Sequence, residues 1–342
     1  MGNKRSEFDY RDEARMTQPA FHPSRADGPA DLSVIIPSVN SYDDLDVCLK
    51  ALAAQGDVQP DIFVVDRLGP YVRHFLRREH PGVTILPVPG DTTIPQMRAM
   101  GIRAALAQKT RAIAIIEDHV IVPPDWAARM LKALDEARQA ADRPDDEGRH
   151  PAGQAVGGPV ENAATESWID WSAFLCEYSS TLPPLPAGPF DWLPGNNVVY
   201  DVDLLRHHDA VLDEGKWENR LHDAIRAEGG QLTMRPDIVV GHKMHYTFRL
   251  YMSQRFLYSR SYAGSRRDGF GPAKRLMMGA AALVALPPVM VTRIFGQVWR
   301  KDRHKRQLLQ ALPLLVPFCL SWGAGEAAGY WFGPGRAMSQ VR

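Results

Sequence analysis

The chain has 342 residues, of which 45% are hydrophobic, with 40 basic and 40 acidic side chains. This length and apolar content can bury one large core or two small ones. The balanced charge gives no support for nucleic acid as the main partner, because nucleic-acid-binding domains carry clustered positive charge. Cys48, Cys176 and Cys319 lack the paired spacing of a zinc site or a disulfide framework. We therefore predict reduced thiols in the core of a cytoplasmic protein.

The N-terminal segment, residues 1–30, is charged and lacks an apolar core. It predicts a disordered arm, and neither a secretion signal nor a membrane anchor. The sequence also contains no GxxxxGKS or GxxxxGKT loop and no GxGxxG motif. It therefore gives no support for a P-loop or for a dinucleotide-binding domain.

From Leu32 onward, short apolar runs rich in β-branched residues alternate with helical patterns. Strands are predicted at LSVIIP, IFVVD, VTILPV and AIAII, which begin at Leu32, Ile62, Val83 and Ala112. This alternation predicts an α/β fold, in which helices flank a mostly parallel sheet with right-handed crossovers. A sheet of this kind binds ligands outside the carboxyl ends of its strands.

Carboxylates and a histidine stand at the ends of two of these strands. Asp66 closes the second strand, while Glu117, Asp118 and His119 follow the strand that begins at Ala112. Residues i and i+2 of an extended segment point the same way. Glu117 and His119 can therefore converge on one cation or on a ribose, while Asp118 points elsewhere. The alternative is that Asp118 and His119 merely begin a solvated turn.

The second half continues the pattern after a polar stretch, about 138–153, that predicts a flexible insertion. AVGGPV resumes as a strand at Ala155, and ESWIDWSAFLCEYS is a predicted helix. A proline-rich loop leads to PGNNVVY. WENRLHDAIRAEGG predicts an amphipathic helix with Leu221 and Ile225 facing the core. QLTMRPDIVV then predicts a single strand that delivers His242.

Five motifs, in this order, resemble the family 2 glycosyltransferases, which have the GT-A fold. They are VIIPSVN, the aspartate closing IFVVD, EDHVIVPPDW, PGNNVVY and KWENRLHDAIRAEGG. The resemblance covers Leu32 to His242 and extends less firmly through QRFLYSRSYAGSRR. It implies a GT-A domain over residues 31–265 that transfers a sugar from a nucleotide-sugar donor with inversion and with a divalent metal.

The resemblance also implies a role for each motif at the donor site. Asp66 is expected to contact the base and Glu117 the ribose. The residues implied in nucleotide-sugar binding are Pro37, Ser38, Asn40, Asp66, Glu117 and Asp118. The metal motif, usually DxD, is ExH here. His119 and His242 are the implied metal ligands, although a histidine at a strand end is also a common structural residue. Imidazole ligands favour Mn²⁺ over Mg²⁺.

The catalytic base implied by the resemblance is Glu218. Leu221 and Ile225 fix the helix register that places Glu218 on the family's catalytic aspartate, with Trp217 replacing the preceding acid. A register one residue later would select Asn219, whose amide cannot take a proton. A first-turn glutamate that only favours the helix dipole would look the same in sequence.

The acceptor side is implied by the PGNNVVY loop and by the helix after the last strand. Gly195, Asn196 and Asn197 belong to the loop. Arg255 and Arg260 are expected to bind a diphosphate or an anionic acceptor. The alternative is that they form an exposed basic helix face. Three tryptophans could stack on a sugar or line an acceptor groove, with core packing the alternative for at least one of them: Trp168, Trp171 and Trp192.

The C-terminal region, residues 266–342, contains two apolar runs with prolines: Leu276–Val291, which Pro287 and Pro288 break, and Gln307–Gly325, which contains Pro313 and Pro317. The first is short for a span and both are expected to be kinked. If both runs spanned the membrane and the catalytic domain were cytoplasmic, the basic loop RKDRHKR would lie outside, against the positive-inside tendency. We therefore expect interfacial or re-entrant helices at the cytoplasmic face of the inner membrane. The loop residues expected near anionic headgroups are Arg300, Lys301, Arg303, Lys305 and Arg306. A soluble helical subdomain and two true spans are the alternatives.

Together these features predict a glycosyltransferase with a nucleotide-sugar donor and a lipid-linked or envelope polysaccharide acceptor, acting at a membrane and not on nucleic acid. The alternative is a non-catalytic, membrane-associated protein that binds nucleotide sugars or serves as a scaffold. Nucleotidyl transfer on a similar fold is a third, weaker hypothesis.

Overall fold

The computed structural model describes residues 30–141 and 154–342. The predicted N-terminal arm, apart from Ala30, and positions 142–153 of the predicted insertion lie outside these residues. Positions 138–141, which were assigned to the insertion, instead form the end of a helix that runs from Trp126 to Ala141.

The described residues form eleven strands and twelve α-helices. The strands are β1 (Leu32–Ser38), β2 (Asp61–Asp66), β3 (Thr84–Pro87), β4 (Ala112–Ile115), β5 (Val120–Ile121), β6 (Gln154–Gly157), β7 (Val160–Asn162), β8 (Gly188–Pro189), β9 (Val198–Asp201), β10 (Gln231–Met234) and β11 (Val240–His242). The helices are α1 (Tyr42–Ala53), α2 (Pro70–Glu79), α3 (Ile94–Ala107), α4 (Trp126–Ala141), α5 (Trp168–Tyr178), α6 (Val202–His207), α7 (Asp209–Leu212), α8 (Glu218–Ala227), α9 (Phe248–Arg266), α10 (Pro272–Val284), α11 (Leu286–Arg300) and α12 (Lys305–Phe332).

The main sheet has eight strands in the order β3-β2-β1-β4-β9-β6-β10-β8. The first four are parallel to one another, as are β6 and β10, whereas β9 runs antiparallel to both of its neighbours. The predicted α/β class with a mostly parallel sheet is therefore confirmed. Because β9 is antiparallel, its first residue, Val198, lies beside Ile115 at the end of β4. The loop before β9 and the acidic turn after β4 therefore meet at one edge.

The burial of β1 explains why this sheet forms. All seven of its residues are buried, as expected for a strand covered by helices on both faces. Val34 and Ile36 face one hydrophobic cluster, and Ile35 faces the other. Helix α3 approaches this strand closely, since a Cβ placed on Gly101 would lie 2.3 Å from Ile35 Cγ2.

A second sheet of three strands, β5-β11-β7, lies at the edge where the acidic turn after β4 meets the loop before β9. Two predicted strands are each divided between the two sheets, so the single strands expected for AVGGPV and QLTMRPDIVV are wrong. Gly157 pairs with Met234 in the main sheet, and Val160 pairs with Val240 in the small one. In the small sheet His242 is opposite Val120. This pairing brings His242 to the residue that follows His119.

The prolines of the two C-terminal apolar runs lie in different settings. The prolines of the first apolar run lie in the first turn of α11, and α10 and α11 are bent by 49° relative to each other. The second run lies within a single helix, since α12 continues for 28 residues through Pro313 and Pro317. Its glycines allow backbone contact with α9: a Cβ on Gly325 would lie 2.3 Å from the Phe256 carbonyl oxygen.

By length and composition α12 is long and apolar enough to cross a membrane, and the bent pair α10–α11 would pass the same test if it counted as one span. A buried core helix can pass this test, and 44% of the most apolar stretch of α12 is buried against the rest of the protein. Three of the five basic residues expected near headgroups make contacts within the protein. Lys301 donates to the Ser180 and Leu182 carbonyls, Arg303 pairs with Glu161, and Lys305 pairs with Asp302.

Candidate active site

A cavity of about 370 Å³ lies at the edge where the acidic turn after β4 meets the loop before β9. It is also lined by α3, by the start of α8, and by residues of α9, α11 and α12. Many residues singled out in the sequence line it, among them Glu117, His119, Gly195, Asn196, Glu218, His242 and Arg255. The sheet topology thus gathers residues from distant parts of the chain around one space.

Glu117, His119 and His242 form a cluster of potential metal ligands within this cavity, with ligand atoms all within 4.8 Å of one another. His119 Nε2 lies 2.8 Å from His242 Nε2 and 3.4 Å from Glu117 Oε2. The convergence of Glu117 and His119 that was expected from their spacing is therefore present. Glu117, expected to bind the ribose, is also placed as a third potential metal ligand.

Asp118 points away from this cluster and contacts the far side of the His119 ring. Its carboxylate is fully buried and accepts hydrogen bonds from the backbone N–H groups of Val39 and Asn40, at 2.7 and 2.9 Å. It also lies 3.0 Å from His119 Nδ1. A carboxylate behind a histidine fixes the ring so that Nε2 faces a metal. Asp118 and Asn40, expected among the nucleotide ligands, therefore support His119 and do not line the cavity.

The two histidines have opposite protonation preferences. Burial opposes the charged form of His119, but the hydrogen bond to Asp118 and the charge of Glu117 outweigh it and raise the pKa to about 9. Burial and the neighbouring His119 hold the pKa of His242 well below its ordinary value. An imidazolium at His119 can donate to a neutral His242. Binding a cation at Nε2 would release this proton.

The other residues expected at the donor site lie outside the cavity. Asp66 is buried and accepts from the backbone N–H groups of Leu68 and Gly69, at 3.1 and 3.2 Å. Pro37 and Ser38 are buried at the end of β1, where Ser38 is opposite Asp66. The expected base contact of Asp66 remains a prediction. In this structure its carboxylate caps the turn that leads into α2.

Arg98 of α3 is the main functional candidate that the sequence did not reveal. It is 6% exposed. Its Nη1 lies 2.6 Å from Glu218 Oε2, and its Nη2 lies 3.4 Å from Glu117 Oε1. One guanidinium thus connects the expected base to the metal cluster. One signal in the sequence could have identified it: Arg98 lies on the same helix face as Ile94 and Ile102. A charged side chain on such an apolar face is buried only if it is paired.

The loop before β9 fits tightly against this pair. A Cβ on Gly195 would lie 2.6 Å from the Glu218 carboxyl group and 3.0 Å from Arg98 Nη1, so only glycine leaves the pair undisturbed. Asn196 donates to Glu117 Oε2 at 3.1 Å and to the Tyr178 hydroxyl at 2.8 Å. The loop therefore positions both carboxylates.

Asn197, expected on the acceptor side, has a different position. Its side chain accepts from Trp126 Nε1 at 3.0 Å and donates to the Pro159 and Ile238 carbonyls, at 3.1 and 2.8 Å. It is completely buried and does not line the cavity. These bonds hold together the segments that leave the main sheet for the small one.

Glu218 is the first residue of α8 and lines the cavity, whereas Asn219 is exposed. Leu221 and Ile225 are buried, as the register argument requires. Trp217, in the place of the family's other acid, stacks on the Tyr258 ring with centroids 4.5 Å apart. Of the two registers considered, the structure thus places the glutamate in the cavity.

The two arginines of α9 have different surroundings. Arg255 is buried, lies 3.4 Å from Glu177 Oε1, and has its guanidinium 4.0 Å from the centre of the Trp322 ring. It is therefore not part of an exposed basic face. Arg260 does not line the cavity, because it turns to the chain end and donates to the Gly333 carbonyl at 3.1 Å.

The three tryptophans also separate. Trp192 lines the cavity and is 37% exposed. Trp171 is buried against His304, with ring centroids 4.8 Å apart. Trp168 is exposed at the start of α5. Core packing, the alternative left open for at least one of them, holds for Trp171. The three cysteines are free and buried.

Solved structures with some similarity to this chain include S. aureus TarS 1–349, with 11% identity and a TM-score of 0.44 over 87% of this chain and 90% of that one. GalNAc-T7 with UDP, GalNAc and Mn²⁺ shows 13% identity and a TM-score of 0.47, over 72% and 52% of the two chains. The mannosyltransferase PcManGT from Pyrobaculum calidifontis, in complex with GDP-Man and Mn²⁺, shows 18% and 0.43, over 91% and 79%.

A search of curated proteins found no match. The family model described as glycosyl transferase family 2 matches residues 33–151, the segment from β1 to just before β6. The parallel-rich eight-stranded sheet agrees with the GT-A fold expected from the resemblance. The resemblance to the family 2 glycosyltransferases is thus confirmed over residues 33–151.

Proposed function

We propose that this protein transfers a sugar from a nucleotide-sugar donor to an acceptor hydroxyl, with a divalent cation and with inversion, at the cytoplasmic face of the inner membrane. The observation that carries the proposal is the cavity itself. A three-residue ligand cluster, a glutamate at a helix start and the arginine that joins them all face one space.

The donor set of Glu117, His119 and His242 fits a divalent cation. Two ligand atoms about 2.1 Å from a cation and at right angles to each other lie about 3.0 Å apart. The separations of 2.8 and 3.4 Å from His119 Nε2 bracket this value. A cation held here would neutralise the diphosphate of the leaving group. The two imidazoles favour Mn²⁺ over Mg²⁺.

Glu218 is proposed as the general base. Arg98 Nη1 lies 2.6 Å from its carboxylate oxygen Oε2 and orients the carboxylate. Glu218 is the first residue of α8, where the positive end of the helix dipole lies. Glu218 takes the proton of the acceptor hydroxyl while the hydroxyl oxygen attacks the anomeric carbon, on the face opposite the diphosphate. This geometry gives inversion.

Under the non-catalytic alternative, the two departures from the family pattern, the ExH motif and Trp217, would mean that catalytic activity has been lost. Three arrangements favour the catalytic function instead. Gly195 leaves room for the Glu218–Arg98 pair, Asn196 positions Glu117, and Asp118 orients His119. A site without chemistry does not require these supports.

Membrane association is supported by the surface of α10 and α11. Positions 276–292 contain no charged residue, yet many of their apolar side chains face solvent. Those exposed by more than half are Leu276, Met277, Val284 and Val289. Large exposed apolar patches mark protein or membrane interaction sites. Because α12 packs on α9, we propose that the protein lies in the interface and does not span the membrane.

The direct test is a panel of nucleotide sugars incubated with the full-length protein, Mn²⁺ and membrane lipid extract. Release of free nucleoside diphosphate supports the proposed transfer. Release of pyrophosphate would instead indicate nucleotidyl transfer. Tight binding of a nucleotide sugar without any release would support the non-catalytic alternative.

A further inference from the structure

A second, apolar groove lies between α10, α11 and α12, and its volume is about 270 Å³. It is lined by aliphatic side chains together with one tyrosine and one glutamate: Met278, Ala281, Ala282, Ala285, Leu286, Val289, Glu326 and Tyr330. It belongs to the exposed apolar face, because Ala281, Ala285 and Val289 are exposed. Its shape and chemistry suit a hydrocarbon chain.

A single turn of α12 separates this groove from the catalytic cavity. Glu326 lines the groove, whereas Trp322, four residues earlier, lines the cavity. The indole Nε1 of Trp322 donates to Glu326 at 2.7 Å. The guanidinium of Arg255 packs over the same indole and also lines the cavity. The two spaces therefore share one wall, and a cation stands on the cavity side of it.

Helix α11 also borders both spaces. Leu286 and Val289 line the groove, while Met290 and Arg293 line the cavity. Val289 and Arg293 are four residues apart, which is about 6 Å along a helix. A molecule that lies along the first two turns of α11 would place its apolar part in the groove and its polar part in the cavity.

The polar part would meet positive charge. Arg255 is 6% exposed, and its Nε has no hydrogen-bond partner among residues 30–141 and 154–342. Its carboxylate neighbour, Glu177, is 3.4 Å from Nη1. Arg293 lines the same cavity and is exposed. Guanidinium groups bind phosphate well, because their N–H groups match its oxygens.

A row of aromatic rings continues from this position to the proposed base. The Trp322 and Tyr258 rings are 5.5 Å apart, and Tyr258 and Trp217 are 4.5 Å apart. All three line the cavity, and Trp217 directly precedes Glu218. Aromatic faces of this kind are suited to the apolar faces of a sugar ring. The order along the wall is therefore apolar groove, arginines, aromatic row and glutamate.

We infer from this order that the acceptor is a lipid-linked phosphosugar. Its hydrocarbon chain lies in the groove, its phosphate contacts Arg255 and Arg293, and its sugar hydroxyl reaches Glu218. The inference rests on the proposed glycosyltransferase function. The hydroxyl oxygen forms a bond to the anomeric carbon of the donor, whose bond to the diphosphate oxygen breaks. The nucleoside diphosphate leaves with that electron pair, and Glu218 takes the hydroxyl proton.

The groove is tested without turnover, by binding. The probe is hexadecyl phosphate carrying a diazirine near the end of its chain, added to the full-length protein in phosphatidylcholine nanodiscs and crosslinked by light. Labelled peptides are expected from α10 and from the part of α12 around Glu326. Unlabelled hexadecyl phosphate should compete for the labelling, and methyl phosphate should not.

Ala281→Trp fills the groove, and Ala280→Trp places the same side chain on an exposed position of α10 outside it. The first should weaken hexadecyl phosphate binding by about tenfold or more, the loss expected when two methylene groups leave an apolar site. The second should bind like the wild type. Arg293→Gln should weaken binding of hexadecyl phosphate and leave hexadecanol binding unchanged.

Equal effects of the two tryptophan substitutions, or labelling outside the groove, would overturn the lipid assignment. Hexadecyl phosphate and hexadecanol responding alike to Arg293→Gln would overturn the phosphate assignment. Because no donor is present, either failure leaves the glycosyltransferase function standing. A wild type that binds the probe as expected but releases no nucleoside diphosphate would instead refute the proposed function.

Discussion

Gly195→Ala perturbs the proposed base, Glu218, although Glu218 itself is not substituted. The added Cβ would lie 2.6 Å from the carboxyl carbon and one oxygen of Glu218, and 3.0 Å from Arg98 Nη1. An ordinary contact at this position begins near 3.4 Å. The carboxylate must therefore move by roughly 1 Å, and a displacement of that size in a reacting group costs about 10²-fold in rate.

The assay is nucleoside diphosphate release with saturating donor, measured beside donor affinity and thermal stability. Gly195→Ala should lower the turnover number by about 10²-fold while leaving donor affinity close to that of the wild type. Gly82→Ala is the matched control, since a Cβ there would meet nothing within 4 Å. Wild-type turnover in Gly195→Ala would refute the placement of Glu218 as base. Lost donor affinity with unchanged turnover would assign the loop to the donor instead.

Three further predictions concern the metal, the base and stability. Asp118→Asn should weaken Mn²⁺ binding by about 10–100-fold, because it removes the carboxylate behind a ligating histidine, and an unchanged Mn²⁺ titration would contradict this. Glu218→Gln should bind donor normally but lose about 10²–10⁴ in rate, and Asn219→Ala should be mild; the reverse ranking would mean that the register is off by one. Burial lowers the pKa of His222 from 6.5 to about 4, so the unfolded chain takes up a proton between these values that the folded protein does not. Stability should therefore fall by about 3 kcal/mol as the pH drops through this window. Urea unfolding at pH 7 and pH 4.5 should show that His222→Gln removes part of this loss, and an equal loss in the wild type and in His222→Gln would contradict this.

The parts of the fold that follow local rules were predictable. The apolar runs of β1, β2 and β4 and the helix patterns between them determine a parallel sheet, and the ligand edge follows from it. The register of α8 could be read from Leu221 and Ile225, which are both buried. That register is what places Glu218, and not Asn219, in the cavity.

The parts that depend on long-range contacts were not predictable. The division of two strands between the sheets is decided by pairing between segments some eighty residues apart, as in Val160 with Val240. The role of Arg98 could be identified only by knowing that its side chain on α3 meets Glu218 at the start of α8. Arg260 looked equivalent to Arg255 in sequence, but the chain end that it contacts could not be located from helix periodicity. Asp118 was expected to point away, and its backbone partners could not be named.

The central claim is that Glu117, His119 and His242 hold a cation on which donor use depends. The most direct measurement is nucleoside diphosphate release by the full-length protein after chelation, titrated with Mn²⁺, for the wild type and for His242→Ala. The account predicts that release stops on chelation, returns with Mn²⁺ in the wild type, and is not restored at the same Mn²⁺ concentrations in His242→Ala. Equal release with and without chelator, or a His242→Ala protein with the wild-type Mn²⁺ dependence, would contradict it.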